Sequence, residues 1–464
     1  MRIRTRIAAL GLALLGLAAC GGGGGGAGGA EPPPPEAVTL PLALNGVSVL
    51  KLAAAGEGWV ALAERPSYLA DQIVPERQLL IARAGGRGQP IAYQPPAGWA
   101  LIDFAVHPAS REISLVLAGE RQLRLARLDG TGRLLHEQGF EDAAAAGDPI
   151  VGGPFAYQDN SALVPRVTRD ASRVAAVGEE LLLALRSGRQ AVVLYRLTYG
   201  AAGGFAMRWR SLVEPGVEIA ARIPMGGRVD PFKGLDHSWR MELAADPTGT
   251  QIAVAVSLSR TELAAGHAAH FGETLPPDLV YGFILSEFDG AGRRLRSLVQ
   301  DTRGQSELQG LRRVGARWIA LGRVRSAATQ EGWDGFLAFS ASGAPGLQYR
   351  TLDVDRGDVL FDVAALPSGE LLVAGATGYL QNPGGVSISE EAAPLLARLS
   401  AEGQLQQRIA LTPGPRHNQL RALLPWGTGG TWLIGGMENG PGTHSADSDA
   451  ALLKADGYLR EQRF

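Results

Sequence analysis

"VLFDVAALPSGELLVAGATG" at residues 359–378, followed by "APLLARLSAEGQLQQRIAL" at 393–411, sets the grammar of this chain. Two apolar runs are split by the turn PSGE. After a gap, a third apolar run ends in SAEGQ, and a fourth, more polar run follows. Short runs rich in Val, Leu and Ala, bounded by Gly, Pro and Ser, read as strands, and a Gly-containing connection of a few residues reads as a hairpin. The unit is therefore four short antiparallel strands.

The same unit recurs. It appears as "LIDFAVHPASREISLVLAGERQLRLARLDGTGRLLHEQGF" at 101–140, and as "MELAADPTGTQIAVAVSLSR" at 241–260 with "LVYGFILSEFDGAGRRLRSLV" at 279–299. Weaker copies begin near Val47, Val174 and Leu308, and a last one runs from Leu420 through "TWLIGG", "AALLKADG" and "YLREQRF". Seven copies of four strands, almost without helical periodicity, predict an all-β, seven-bladed β-propeller over 37–464. A closed ring leaves no long exposed sheet edge, and "AVTLPLAL" at 37–44 is expected to add a strand that fastens it. Two packed β-sandwiches would also supply many short strands. The repeats resemble those of bacterial propeller proteins whose blades carry G-x-ILVAG…LLxRLxxDG patterns, here "SGELLVAG" with "PLLARLSAEG" and "GTWLIGG" with "ALLKADG". Such motifs specify strands and turns, and a shared fold carries no activity with it.

The amino terminus has a different character. Arg2, Arg4 and Arg6 precede an uncharged, largely apolar run from Ile7 to Ala19, and then comes Cys20, the one cysteine of 464 residues. This is the layout of an export signal, and the run is shorter than the roughly 20 residues a membrane span needs. "LAAC" at 17–20 resembles the lipobox of bacterial lipoprotein signal peptides. The resemblance implies a signal peptide over 1–19, lipid attachment at the Cys20 sulfur and acylation of the new amino terminus, palmitate being the usual chain. Gly21 in place of Asp points by the family's sorting rule to the outer membrane, with the domain facing the periplasm or the surface. Residues 20–36, the cysteine with "GGGGGGAGGAEPPPPE", form a tether that is flexible in its Gly part and stiffer through Pro32–Pro35. Ordinary cleavage after small residues, with Cys20 incidental, is the alternative.

A formal charge of -2 with 19% charged residues leaves no basic footprint for nucleic acid. Turns within the strand pairs are short, as in HPASRE, DPTGTQ and FDGAGR. Long segments fall between second and third strands (65–76, about 259–278, 325–333, 376–393, 437–449) and between copies (141–172, 213–239). In a propeller these two kinds of connection share a face, so one elaborated face is expected above the central channel, and insertions gathered on one face of a repeat array mark a binding surface.

Chemistry on that face is sparse. "GHAAHFGE" offers His267, His270 and Glu273 as metal ligands, although solvated loop side chains are the plainer reading. Asp355 and Asp358 in "DVDRGD", and His444, Asp447 and Asp449 in "THSADSD", suggest acidic calcium loops but lack the D-x-[DN]-x-[DN]-G spacing. Asp236, His237 and Trp239 in "DHSWR", with Trp333 and Asp334 in "GWD", are candidate ligand-contacting residues. No G-x-S-x-G elbow, P-loop, dinucleotide fingerprint or cysteine cluster is present. The sialidase Asp-box and the repeated tryptophan-docking motifs of quinoprotein propellers are missing too. Two functions remain. One is a non-catalytic, lipid-anchored propeller binding an envelope protein or glycan. The other is a metal-dependent, calcium-type hydrolase at the channel mouth.

Overall fold

The computed structural model describes residues 38–44, 47–69, 72–82, 90–119, 122–146, 172–186, 191–200, 203–215, 224–225, 228–229, 240–258, 261–276, 279, 281–325, 332–341, 343–355, 357–378, 393–411, 416–427, 430–439 and 455–464. They build seven four-stranded antiparallel sheets, each ordered from an inner strand at the channel to an outer strand at the rim.

Blade 1 is Ser48–Ala55, Gly58–Leu69, Gln72–Ala82 and Ile91–Tyr93. Blade 2 is Ala100–Val106, Ile113–Ala118, Leu123–Leu128 and Leu134–Phe140. Blade 3 is Ser172–Val177, Glu180–Arg186, Val192–Tyr199 and Phe205–Glu214. Blade 4 is Met241–Ala245, Gln251–Leu258, Gly282–Asp289 and Arg294–Asp301. Blade 5 is Ser306–Val314, Arg317–Arg325, Trp333–Ser340 and Leu347–Leu352. Blade 6 is Val359–Ala365, Leu371–Thr377, Ala393–Leu399 and Leu405–Arg408.

Blade 7 differs from the expected run of four strands ending the chain. Its first three strands are Arg416–Pro425, Thr431–Asn439 and Ala455–Arg463, and its outermost is Val38–Leu44 from the other end. The amino-terminal stretch is thus the missing fourth strand, not an addition to a complete blade. It pairs antiparallel with Ala455–Arg463, Val38 opposite Glu461 and Leu44 opposite Gly457.

Second and third strands show burial without alternation: every residue of Leu371–Thr377 is buried, whereas Leu405–Arg408 is exposed throughout. A strand sandwiched between two neighbouring blades has no solvent face, so Val, Leu and Ala run consecutively. The core is accordingly split into seven principal apolar clusters, one at each blade junction. Leu115 and Phe104 meet Val60 and Leu79 between blades 2 and 1. Val49 and Trp59 meet Ala422 and Leu433 between blades 1 and 7, which closes the ring.

Inner strands carry β-bulges at matching places: Val49/Lys51, Leu101/Asp103, Leu308/Gly310, Leu360/Asp362 and Leu420/Ala422. The bulge drives a carbonyl towards the second strand. A Cβ on Gly375 would lie 2.1 Å from Val359 O, and one on Gly436 2.0 Å from Gln419 O. That contact is why "LLVAG" and "WLIGG" end their apolar runs in glycine.

Strand order fixes the faces. Connections from first to second and from third to fourth strands leave one end of each blade; the other two kinds leave the opposite end. On the first face the connections are compact, such as the turn at 129–133, where the Asp129 carboxylate accepts hydrogen bonds from Thr131 and Arg133 amides. One expectation fails on the second face. Residues 65–76 are not a loop, since the ladder of blade 1 continues from Arg65 opposite Glu76 to Leu69 opposite Gln72. This hairpin extends roughly 15 Å past Glu64 at about 3.3 Å per residue.

Candidate functional site

The loop-rich end of the channel holds a cavity of about 360 Å³ lined from all seven blades. Its residues belong mainly to the beginnings of inner strands, where connections arriving from the preceding blade enter. Charged side chains interrupt otherwise apolar strands here: Lys51, Asp103, Arg173, Glu242, Glu307, Arg312 and Arg421, joined by Arg77, Glu64 and Arg323 from flanking strands and by Arg240. Seven basic groups and four carboxylates line the space.

Most of these charges are tied from blade to blade. Lys51 Nζ donates to Asp103 Oδ1 at 2.7 Å and to Phe104 O at 2.8 Å. The other oxygen of Asp103 accepts from the Val174 amide at 3.0 Å, so one buried carboxylate joins blades 1, 2 and 3. Burial opposes its charge, but Lys51, Arg173 and these hydrogen bonds outweigh that and hold the carboxyl below its usual range. Asp362 repeats the arrangement: Oδ1 accepts from Arg312 Nε at 2.8 Å and Oδ2 from the Leu423 amide at 2.9 Å, joining blades 5, 6 and 7. Arg173 donates to Glu242 at 2.9 Å across the junction of blades 3 and 4. Arg77 Nε donates to Glu64 at 3.0 Å, and its Nη1 to Ile102 O at 2.7 Å. Arg323 grips Glu307 with two bonds, 3.0 and 2.8 Å. Arg421 donates Nε to the Gln419 amide oxygen at 2.8 Å and lies 4.4 Å over the Phe361 ring. Arg312 is 39% exposed while ringed by protein, so its exposure is to channel water, and neighbouring Asp362 raises its pKa further.

A second polar cluster sits on the same face. The helix Thr261–Phe271 lies in the connection between second and third strands of blade 4. His267, fully buried, places Nδ1 2.6 Å from Glu214 Oε2 and Nε2 2.9 Å from Glu273 Oε2. Glu214 ends the outer strand of blade 3, so this contact ties the two kinds of loop-face connection together. Arg294 Nη2 lies 3.0 Å from His267 Nε2, and the guanidinium stacks 3.5 Å over Phe271. Burial raises the Glu214 carboxyl, against the pull of His267 and Arg294.

The structure thus joins His267 to Glu273 and Glu214, whereas His270 is exposed and edge-on to Phe271. The two carboxylates approach opposite ring nitrogens and do not converge on a point. Among the described residues no three His, Cys, Asp or Glu side chains are grouped to hold a metal ion. Asp358 turns inward, Oδ2 accepting the Val354 and Asp355 amides at 2.5 and 3.2 Å, while Asp355 is exposed. Burial pushes the Asp358 carboxyl up to about 6. Trp333 is buried, with the Arg323 guanidinium 4.3 Å over its ring. Asp334 is half-buried, its carboxyl raised by burial and then by Asp353. Cys20, Asp236, His237, Trp239, His444, Asp447 and Asp449 lie outside the described residues.

Sequence reading missed the channel-lining charges. Their signal was present: "LIDFAVHP" at 101–108 and "LFDVAALP" at 360–367 place Asp103 and Asp362 at the same point of the repeat.

No family model matches the chain. No curated protein matches it either. Solved structures do. The β-propeller domain of the Trilobed protease from Pyrococcus furiosus, described as having an open velcro topology, is 9% identical with TM-score 0.45, over 90% of this chain and 95% of that one. The Myceliophteria thermophila Cps50 (Swd1) β-propeller domain is 10% identical with TM-score 0.44, over 92% and 99%. A prolyl endopeptidase is 10% identical with TM-score 0.42; 85% of this chain matches, spanning 46% of that protein. The chain is a seven-bladed β-propeller, on the strand order above.

Proposed function

We propose that this chain is a lipid-anchored, non-catalytic propeller of a bacterial cell envelope, binding an envelope protein or glycan through its loop-rich face. The observation that carries the reading is the coincidence of two features at one end of the ring. The long connections leave there, and the polar cavity opens there with walls contributed by every blade. A rigid array presenting variable loops around a shaped, charged recess is built for recognition. The lipobox resemblance supplies the anchor, Cys20, and Gly21 after it favours the outer membrane. One acyl chain anchors only marginally, whereas the several chains of a bacterial lipoprotein make attachment stable.

Two experiments test the two halves. Cys20→Ser is expected to move the protein from the membrane to the soluble fraction, and unchanged partitioning would defeat the anchor. Replacing 379–392 and 141–171 by short turns is expected to abolish cross-links to envelope components formed in intact cells. Undiminished cross-linking would remove the loop face as the binding surface.

A further inference from the structure

We propose that the compact-turn face of the ring rests on a lipid bilayer, with apolar side chains of its rim inserted at headgroup level; this rests on the lipid-anchor reading and adds which way the anchored ring is turned. Three observations carry it. First, the exposed large apolar side chains among the described residues are Leu134, Leu135, Met207, Leu295 and Leu405. All five lie among the first three residues of an outer strand, next to the turn arriving from the third strand. They therefore share one level, the compact-turn end of the rim, on blades 2, 3, 4 and 6. A single exposed leucine needs no explanation, but a common level around a ring does. Second, a recess of about 240 Å³ opens on the same face at the junction of blades 4 and 5, with Ile252, Phe288, Leu295 and Trp318 in its wall. Third, the chain enters the ring at this end. Val38 sits opposite Glu461, near the end of a third strand, and Leu44 opposite Gly457, so Val38 lies at the compact-turn end and Leu44 towards the loop end.

The point of entry decides which face meets the membrane. A Gly-rich chain as long as 21–37 averages roughly 20–25 Å end to end. The seven-residue strand Val38–Leu44 is about as tall, at about 3.3 Å per residue. An anchor at Cys20 therefore reaches a bilayer directly when the compact-turn face is down. With the loop face down, that whole length would have to run back along the ring. Charges beside the leucines come as pairs, Arg133 with Asp129 and Arg293 with Asp289, so apolar insertion and not net charge supplies the affinity. Each side chain contributes little alone, but a tether holds them near the surface at an effective concentration on the order of millimolar, where weak contacts fill. The loop-rich face then points away from the bilayer, towards the envelope components it is proposed to bind.

The test is photolabelling of the full chain, purified from membranes and reconstituted in vesicles of phosphatidylethanolamine and phosphatidylglycerol that contain a phospholipid with a diazirine on its acyl chain. Lipid adducts are expected on the outer strands that carry the five residues and not on the loop-face helix Thr261–Phe271. Leu134→Gln, Leu135→Gln and Leu295→Gln together are expected to cut labelling about fivefold or more. Melting should stay within about 3 °C of the parent, because the three positions are exposed. Met207→Gln with Leu405→Gln, on other blades, is expected to cut labelling about twofold and keeps the proposal testable if the first set destabilises the fold. Adducts spread equally over both faces, adducts on the helix instead, or labelling that ignores both sets of substitutions each overturn it. So do protein–protein cross-links through the same strands in place of lipid adducts, which would give the rim to a second copy. Flotation with the vesicles reads the anchor separately. A parent chain that floats but carries no adducts in the ring removes this proposal alone; one that does not float removes the anchor and this proposal with it.

Discussion

Asp103 and Asp362 show how a single residue type, placed at a bulge, holds three blades at once. Each is buried, accepts from the cation of the blade before it and from an inner-strand amide of the blade after it. Removing the Asp362 carboxylate leaves the Arg312 guanidinium and the Leu423 and Val363 amides without this acceptor. Breaking a fully buried pair costs about 3–5 kcal/mol; Arg312 can rehydrate in the channel, so Asp362→Ala is expected to lower stability by about 2–3 kcal/mol. Urea unfolding should show a lower midpoint with an unchanged slope. Asp358 acts oppositely. Its carboxyl titrates near 6 in the fold, against about 3.9 when unfolded. The folded state therefore holds the proton more tightly, and the contribution is full below about pH 4 and lost as pH rises through about 6, a change of up to about 3 kcal/mol. Asp358→Asn, which cannot ionise, should flatten that part of the stability–pH curve, read as the difference from the parent between pH 4 and pH 7 (about the window of the shift). Asp129 runs the other way: its hydrogen bond from the Thr131 hydroxyl, with the turn amides, lowers its carboxyl to about 2. What it contributes is lost as pH falls from about 4 towards about 2.

The helix Thr261–Phe271 lies in a long loop-face connection and is tied to its surroundings by a few side chains. His267 is buried between Glu214 and Glu273, and Phe271 lies under Arg294. His267→Ala would strand the buried Glu214 carboxylate, whose Oε1 already lacks a hydrogen-bond partner. The helix is expected to lose about 2–3 kcal/mol of local protection, seen as faster amide hydrogen exchange over the helix and at the end of Phe205–Glu214. His270→Ala, at an exposed position, should change exchange by no more than about 0.5 kcal/mol. The comparison separates an anchoring histidine from a solvated one in the same "HAAH". This element also marks where the sequence was legible and where it was not. Hairpin turns such as FDGAGR and SAEGQ announce themselves because their Gly, with Asp289 or Ser400 accepting the turn amides, solves a local backbone problem. Glu214, 53 residues from His267, announces nothing. Its role depends on a contact between two blades, and no local period records such a contact. Asp103 and Asp362 fall between these cases: their repeat position was visible, but their partners lie on other blades.

For the whole molecule the decisive pairing joins the two ends of the chain. Blade count and strand order follow from the repeats, because each copy carries its own turns and apolar runs. A fastening strand at 37–44 was legible too, but not its place as the fourth strand of the last blade, since that pairs Val38–Leu44 with Ala455–Arg463 from the opposite end of the chain. A seven-copy reading that ended with four carboxy-terminal strands would leave the ring held at its last junction by apolar packing alone. Instead the last blade cannot be completed until the first strand returns to it. The strand Ala455–Arg463 then has neighbours on both sides, and no unpaired row of amides and carbonyls remains at its rim edge. Deleting 38–44 from the full chain should therefore do more than subtract seven residues. It exposes the backbone edge of Ala455–Arg463, an invitation to pair with another copy, and it unseats Leu44 from the cluster of Val49, Trp59 and Leu433. The expected outcome is a melting temperature lower by about 5 °C or more, with concentration-dependent oligomers in light scattering. Replacing 379–392 by a short turn is the control, expected to shift melting by no more than about 2 °C because loop length enters stability only logarithmically. A Δ38–44 protein that stays monomeric and melts with the parent would mean that the seven apolar junctions close the ring without the strand.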